Sequence, residues 1–272
     1  MPPTSSASRL AAELLGELRD ESQRLDKVDR YVRGEHDGPY VPRTASREYK
    51  LLAERAVTNL LPLISGSIAQ VLFVDGFRHS DGSTAAGWRW WQHNGLDARQ
   101  SGVHRAMLDY GLAYVTVLPG DALDGGGRAP VIRGVSPRRM HARFHDPAED
   151  EWPVHAIRAE PITLDGEPRL KIRLYDAVTI VEFHAESDGS KLVEVERVEH
   201  GAGVCPVVAF RDCPDLEGRS RGEVEPHIAT QDRLNQTIFD LLVAQSFSSF
   251  KVRTVTGMTP ETDADGKPRP MP

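Results

Sequence analysis

Cysteine is scarce, with two residues in 272. Two cannot build a disulfide framework, and they point to a reducing compartment. Lysine is scarce as well, six against 27 arginines. A GC-rich genome produces that bias, and no function is read from it. No window approaches the roughly 18 apolar residues that a membrane-spanning helix needs. The N-terminus, Met1-Pro2-Pro3-Thr4-Ser5-Ser6, has neither the basic n-region nor the apolar h-region of a secretory signal. Positive charge is not in excess either, since 33 Lys+Arg face 40 Asp+Glu for a net charge of -7. This argues against wrapping DNA through a basic surface, because such affinity comes mainly from phosphate neutralisation. It does not exclude a protein that DNA merely passes. What is present is a chain 39% hydrophobic and 27% charged. That composition folds over most of its length, as one large or two smaller domains.

The apolar pattern changes along the chain. Leu10, Leu14, Leu18, Leu25, Val28 and Val32 recur at helical spacings and predict a first helix that stops before Gly34 and Pro39. A second helix begins near Ser46, with Leu51, Leu52, Ala56, Val57 and Leu60 on its buried side. Pro62 kinks it or opens a new helix carrying Ile64, Ile68, Val71 and Leu72. Trp88-Arg89-Trp90-Trp91 reads as a packing anchor in which Trp88 and Trp91 share a face; an aromatic platform for bases would want denser basic residues. A helix from about Asp97 to Tyr110 ends at Gly111 and leads into a short β run at 113–118. In the middle third, 169–175, 178–183 and 191–198 alternate apolar and polar residues, with 131–135, 154–160 and 204–210 as further strands. The expectation is an antiparallel β region of five to seven strands set between helical parts, an α+β class. From Glu223 to about Ser249 a long helix carries Ile228, Leu234, Ile238, Leu241, Leu242 and Gln245 along one side. The polar, proline-containing segment after Thr256-Gly257 reads as a disordered tail.

No chemical constellation is complete. His141, His145 and Asp146, with His155 further on, form the strongest metal-like cluster. On a helix, His141 and His145 would share a face at workable spacing. Phe144 and Pro147 favour a strand or loop, where residues four apart lie roughly 13 Å from each other. Cys205 and Cys213 are too widely spaced for a zinc pair. Gly125-Gly126-Gly127 lacks the Lys-Ser/Thr of a phosphate loop and reads as a surface turn. Ser220, in Gly218-Arg219-Ser220-Arg221-Gly222, echoes a nucleophile elbow, but no strand leads directly into it. No catalytic, cofactor-binding or metal-ligating residue is assigned, and no enzyme activity is expected.

The order of several short stretches carries more. Tyr31-Val32-Arg33-Gly34-Glu35-His36, Thr58-Asn59-Leu60-Leu61-Pro62-Leu63-Ile64 and Val74-Asp75-Gly76-Phe77-Arg78 are followed by Trp90-Trp91-Gln92-His93-Asn94-Gly95-Leu96-Asp97. Tyr110-Gly111-Leu112-Ala113-Tyr114-Val115, Cys205-Pro206-Val207-Val208-Ala209-Phe210 and Gly218-Arg219-Ser220 then precede Ile228-Ala229-Thr230-Gln231-Asp232-Arg233-Leu234-Asn235-Gln236-Thr237. As an ordered set across 30–257 they make the chain similar to the N-terminal portion of portal proteins of tailed double-stranded DNA bacteriophages, of the siphophage type found in actinobacterial phages.

That resemblance implies a structural, non-enzymatic subunit of a ring, usually a dodecamer, set at one capsid vertex of the virion and assembled in the host bacterial cytoplasm. The ring would be the head-tail connector, conduit for DNA packaging and genome ejection. Its implied partners are further copies of itself, the terminase large subunit, major capsid and scaffolding proteins, and head-completion or adaptor proteins. Double-stranded DNA would pass through without sequence-specific contact, and no membrane is involved. Residues 1–118 and 119–215 would form helical and β parts of an outer wing, 216–257 a linker and long helix toward the stem, and 258–272 a tail. Family members continue past the point where this chain ends, Arg269-Pro270-Met271-Pro272, so a truncated subunit is expected. Two alternatives stay open at this stage: a phage metal-dependent hydrolase or nuclease using the His141/His145/Asp146 region, and a small head-tail adaptor module.

Overall fold

A computed structural model of the chain describes residues 6–122 and 128–248, together with Asp265. The Gly125–Gly127 turn, the end of the long-helix segment and nearly all of the expected tail lie outside these residues. The fold is α+β, as expected, with helices flanking antiparallel sheets.

The helices follow from local chemistry. The first, α1, runs Ser6–Val32 and buries Leu14, Leu18, Leu25 and Val28 along one stripe. It ends where Gly34 takes φ +83. The amides of Gly34 and Glu35 donate to the carbonyls of Tyr31 and Arg30 at 3.0 and 2.8 Å, the paired hydrogen bonds of a left-handed C-cap. Helix α2 is Arg47–Ala56, with the Tyr49 amide donating to the Ser46 hydroxyl at 3.3 Å as N-cap. Helix α3 is Leu61–Ala69, opened by Pro62 in its first turn, which resolves the two readings of that proline. Helix α4 is Gly87–His93 and α5 is Leu96–Tyr110. Trp88 and Trp91 stack at 6.5 Å, and the Phe77 ring meets both edge-on.

Eight strands, all antiparallel, occur among the described residues: β1 (Leu112–Ala122), β2 (Arg128–Val135), β3 (Met140–Arg143), β4 (His155–Leu164), β5 (Glu167–Tyr175), β6 (Thr179–Glu186), β7 (Val193–Glu199) and β8 (Val207–Arg211). They form two sheets, ordered β2-β1-β8 and β3-β4-β5-β6-β7. The count exceeds the five to seven expected because β3 has only four residues, too few to show an alternation. Two sheets arise because β8 returns across the chain to pair with β1, Leu112 opposite Arg211. Alternation marks a strand but does not say which strand it joins.

Helix α1 lies on the five-stranded sheet, where Leu14, Leu15 and Leu18 meet Ile157, Ile172, Leu174, Val181 and Phe183 in a dry cluster. Each such side chain contributes about 1.5–3 kcal/mol by leaving water. Helix α5 covers one face of the three-stranded sheet through Val103, Ala113 and Val115. The remaining core joins the two sheets through Tyr114, Met140, Ala142, Ala156, Tyr175, Cys205 and Val207. Beside it, Glu182 accepts from Arg173 at 2.9 Å, with Lys171 at 3.0 Å and His184 at 3.4 Å. Partial burial raises its pKa, but the bonds to Lys171 and Arg173 outweigh that and hold the carboxyl below its usual range.

The chain divides into two compact units. The first holds residues up to 37 and 58–234, including both sheets, α1, α3, α4 and α5. The second holds 38–57, with α2, and the chain from Asn235 on. A sixth helix, α6 (Ile228–Ser248), contributes its opening turns to the first unit and the rest to the second. It starts five residues later than the sequence suggested, after a 3-10 turn at Glu225–His227, and is roughly 30 Å long. Within the second unit Phe239 is 1% exposed against Ala53 and Ala56, with the Tyr49 ring edge-on at 4.9 Å.

Candidate functional site

Most of the buried polar chemistry of the first unit gathers at the root of α6, where the chain passes from β8 into the long helix. The approach is close-packed backbone. A Cβ added at Gly222 would stand 2.3 Å from the Asp109 carbonyl oxygen, and one added at Gly111 (φ +84) would stand 2.6 Å from the Gly222 nitrogen. The Glu223 amide donates to the Leu108 carbonyl at 2.7 Å, and the Asp212 amide to the Gly111 carbonyl at 2.9 Å. The segment after β8 is thus bound to the end of α5. Val224 and Ile228 then enter a small core with Val28, Tyr31 and Leu61.

Polar side chains complete the root. Gln231, 3% exposed, accepts from the Leu60 amide at 3.1 Å and donates to the Thr58 carbonyl at 2.7 Å. Asn59 between them donates to the Val32 carbonyl at 2.9 Å. The Tyr31 hydroxyl donates to Asp232 at 2.7 Å and lies 3.1 Å from Asp37. Two residues earlier on α1, Asp29 accepts from the Tyr110 hydroxyl at 2.8 Å, Arg33 at 2.9 Å and Arg138 at 2.8 Å. Burial and the neighbouring carboxylates raise the pKa of both tyrosines, which keeps them neutral donors.

Asp109, at the end of α5, is 4% exposed and one of its oxygens has no partner among the described residues. Burial raises its pKa above the ordinary 3.8, against a bond from Ser65 and the charge of Arg105. The folded state therefore holds this proton more tightly than the unfolded chain does, and stability contributed here declines as pH rises from about 3.8 through the raised value. Asp109→Asn should remove that decline. In thermal melts, its stability relative to wild type is expected to be more favourable at pH 7 than at pH 4.

The residues singled out from the sequence disperse. His141 lies in β3, its Nε2 3.0 Å from Glu17 on α1. His145 and Asp146 lie in the turn beyond β3, where both backbone amides donate to Asp150, at 2.9 and 2.7 Å. His155 opens β4, opposite Arg143, and burial lowers its pKa. Among the described residues no three His, Cys, Asp or Glu side chains stand close enough to hold an ion. Cys205 is buried, its thiol pushed up to about 12 by desolvation, while Cys213 is exposed. The Ser220 hydroxyl has no hydrogen-bond partner among the described residues. No described helix is long and apolar enough to cross a membrane.

Sequence reasoning gave no role to Gln231 or Asn59, though both lie in the ordered stretches, and did not name Asp29. The available signal was position: Gln231 lies three residues after the buried Ile228, and the buried stripe continues at Asn235 and Phe239. Tyr31, Asn59, Tyr110 and Asp232 belong to four separate stretches of the ordered set, and all four make polar contacts in this region. A family model described as phage portal protein, SPP1 Gp6-like, matches residues 12–269. No individually curated protein matches the chain. The family match includes α1 from its second turn, both sheets, every residue of the α6 root and the whole of α6. The chain therefore belongs to the phage portal protein family, of the SPP1 Gp6-like kind.

Proposed function

We propose that the chain is the subunit of a closed ring, usually of twelve copies, at one vertex of a phage capsid. Double-stranded DNA enters through this ring during packaging and leaves through it at ejection. The terminase large subunit docks on it first and head-completion proteins later, while major capsid and scaffolding proteins surround it during assembly in the host cytoplasm. Residues 1–118 and 119–215 form the outer wing and 216–257 lead toward the stem, with 258–272 as a tail. The observation that carries this reading is the portal-family match over 12–269.

Charge supports it. A conduit must not grip what it conducts, since each phosphate neutralised by a fixed cation adds affinity and slows passage. A net charge of -7, with arginines such as Arg24, Arg138, Arg143 and Arg173 tied to carboxylates, suits a passage rather than a clamp. Ring subunits meet through two different surfaces, head to tail, and closure comes from the rotation between them.

Negative-stain electron microscopy and light scattering of the purified chain test this reading. Closed rings with a central hole are expected, either alone or on co-expression with the phage's major capsid and scaffolding proteins. A monomer under both conditions would overturn it.

A further inference from the structure

A cleft of about 560 Å³ opens in the first unit between α1, β1, β3 and the loop after β8. That size lies within the range of ligand pockets. Its floor is apolar and aromatic, made by Leu112, Tyr114, Ala142 and Phe144. Four arginines stand on its walls, and three of them are already neutralised. Arg24 pairs with Glu21 and Glu225, Arg143 with Glu13 and Glu17, and Arg219 with Asp215 and Glu217.

Arg211 is different. It has no carboxylate within ion-pair distance among the described residues. Its guanidinium lies over the Phe144 ring at 4.3 Å, and one Nη donates to the Pro147 carbonyl. Stacking and that single bond fix the plane of the group while leaving its remaining N–H donors unengaged, which is the arrangement that receives a carboxylate with little ordering cost. Ser220 lines the same cleft, its hydroxyl buried and without a partner among the described residues.

We infer that this cleft docks a peptide segment of a partner protein that carries one acidic side chain beside an aliphatic residue. The carboxylate pairs with Arg211 and the aliphatic side chain lies on the Tyr114–Phe144 floor. The surrounding carboxylates select a single negative charge: the six that neutralise the other arginines repel a polyanion or a phosphate dianion more than a lone carboxylate. The inference stands independently of ring formation.

The test uses the full-length chain and three probes: N-acetyl-Leu-Glu-amide, its Leu-Gln counterpart, and inorganic phosphate. Nuclear magnetic resonance follows the Arg211 Nε–H and the backbone amides of Ala142 and Phe144. The glutamate peptide is expected to shift these signals saturably, and the glutamine peptide to bind about tenfold more weakly or worse, since it lacks the charge-assisted bond. Arg211→Gln, with an unchanged melting temperature, is expected to abolish saturation. The comparison of the two peptides on wild-type protein holds even if that variant does not fold. Absence of saturable shifts at millimolar peptide, equal binding of the glutamine peptide, or equal binding of phosphate would each overturn the inference.

Discussion

Gly222→Ala is expected to destabilise the protein by about 3 kcal/mol or more, a large loss for the addition of one methyl group. The new carbon would stand 2.3 Å from the Asp109 carbonyl oxygen and 2.6 Å from its carbon. Both are backbone atoms at the end of α5, so no side-chain rotation relieves the contact. Gly111→Ala meets the same junction from the other side, at 2.6 Å from the Gly222 nitrogen, and adds the strain of φ +84. Because both substitutions press on one contact, the double variant should lose less than the sum of the two. Gly16→Ala is the control. It lies inside α1 with nothing within 4 Å of the added carbon, and should gain about 0.5–1 kcal/mol from helix propensity. Urea titration measures all four. A Gly222→Ala variant within 1 kcal/mol of wild type would mean that the segment entering α6 is free to move away from α5.

The second large effect is at Gln231. Truncation to alanine removes the acceptor for the Leu60 amide and the donor for the Thr58 carbonyl, and leaves a void at a position 3% exposed. A loss of about 2–3 kcal/mol is expected. Gln231→Glu separates the two bonds. The carboxylate still accepts from Leu60 but sets an oxygen against the Thr58 carbonyl, so its loss should be comparable to that of alanine. Native-state hydrogen exchange gives the local readout: the Leu60 amide should exchange faster in the alanine variant and stay protected in the glutamate variant.

The parts of this molecule that were legible in its sequence are those written in short-range pattern. Leu14, Leu18, Leu25 and Val28 marked α1 because helical spacing alone places them on one stripe. Pro62 marked a break, read as a kink or a new start, and it opens α3 because its ring fits a first turn. Val181 and Phe183 marked β6 by the near-alternation of 178–183. The buried face of α6 was read incorrectly for an equally specific reason. Its stripe is Ile228, Gln231, Asn235 and Phe239, two of them polar, whereas Leu241, counted on the apolar side, is 55% exposed. A pattern search that scores only apolar residues loses a face whose burial is satisfied by hydrogen bonds.

The candidate site was legible only as a list. The similarity to portal proteins picked out the stretches containing Tyr31, Asn59, Tyr110 and Asp232, yet nothing local says that the Tyr31 hydroxyl meets an aspartate 201 residues further on. Such pairings are created by the fold, and they become visible only once the elements are in place. The His141 cluster was legible from its neighbours. Phe144 and Pro147 favoured a strand or loop over a helix, and His141 lies in β3 with His145 and Asp146 in the following turn.

The two bonds of Gln231 also index the helix that carries them. Successive residues of an α-helix advance 1.5 Å along the axis and about 100° around it. A slip of one residue at the root would exchange Gln231 for Thr230, whose short hydroxyl lacks the separate donor and acceptor of an amide, or for Asp232, whose carboxylate has no donor. Within the first unit, the opening turns of α6 are therefore fixed in angular phase as well as in axial position.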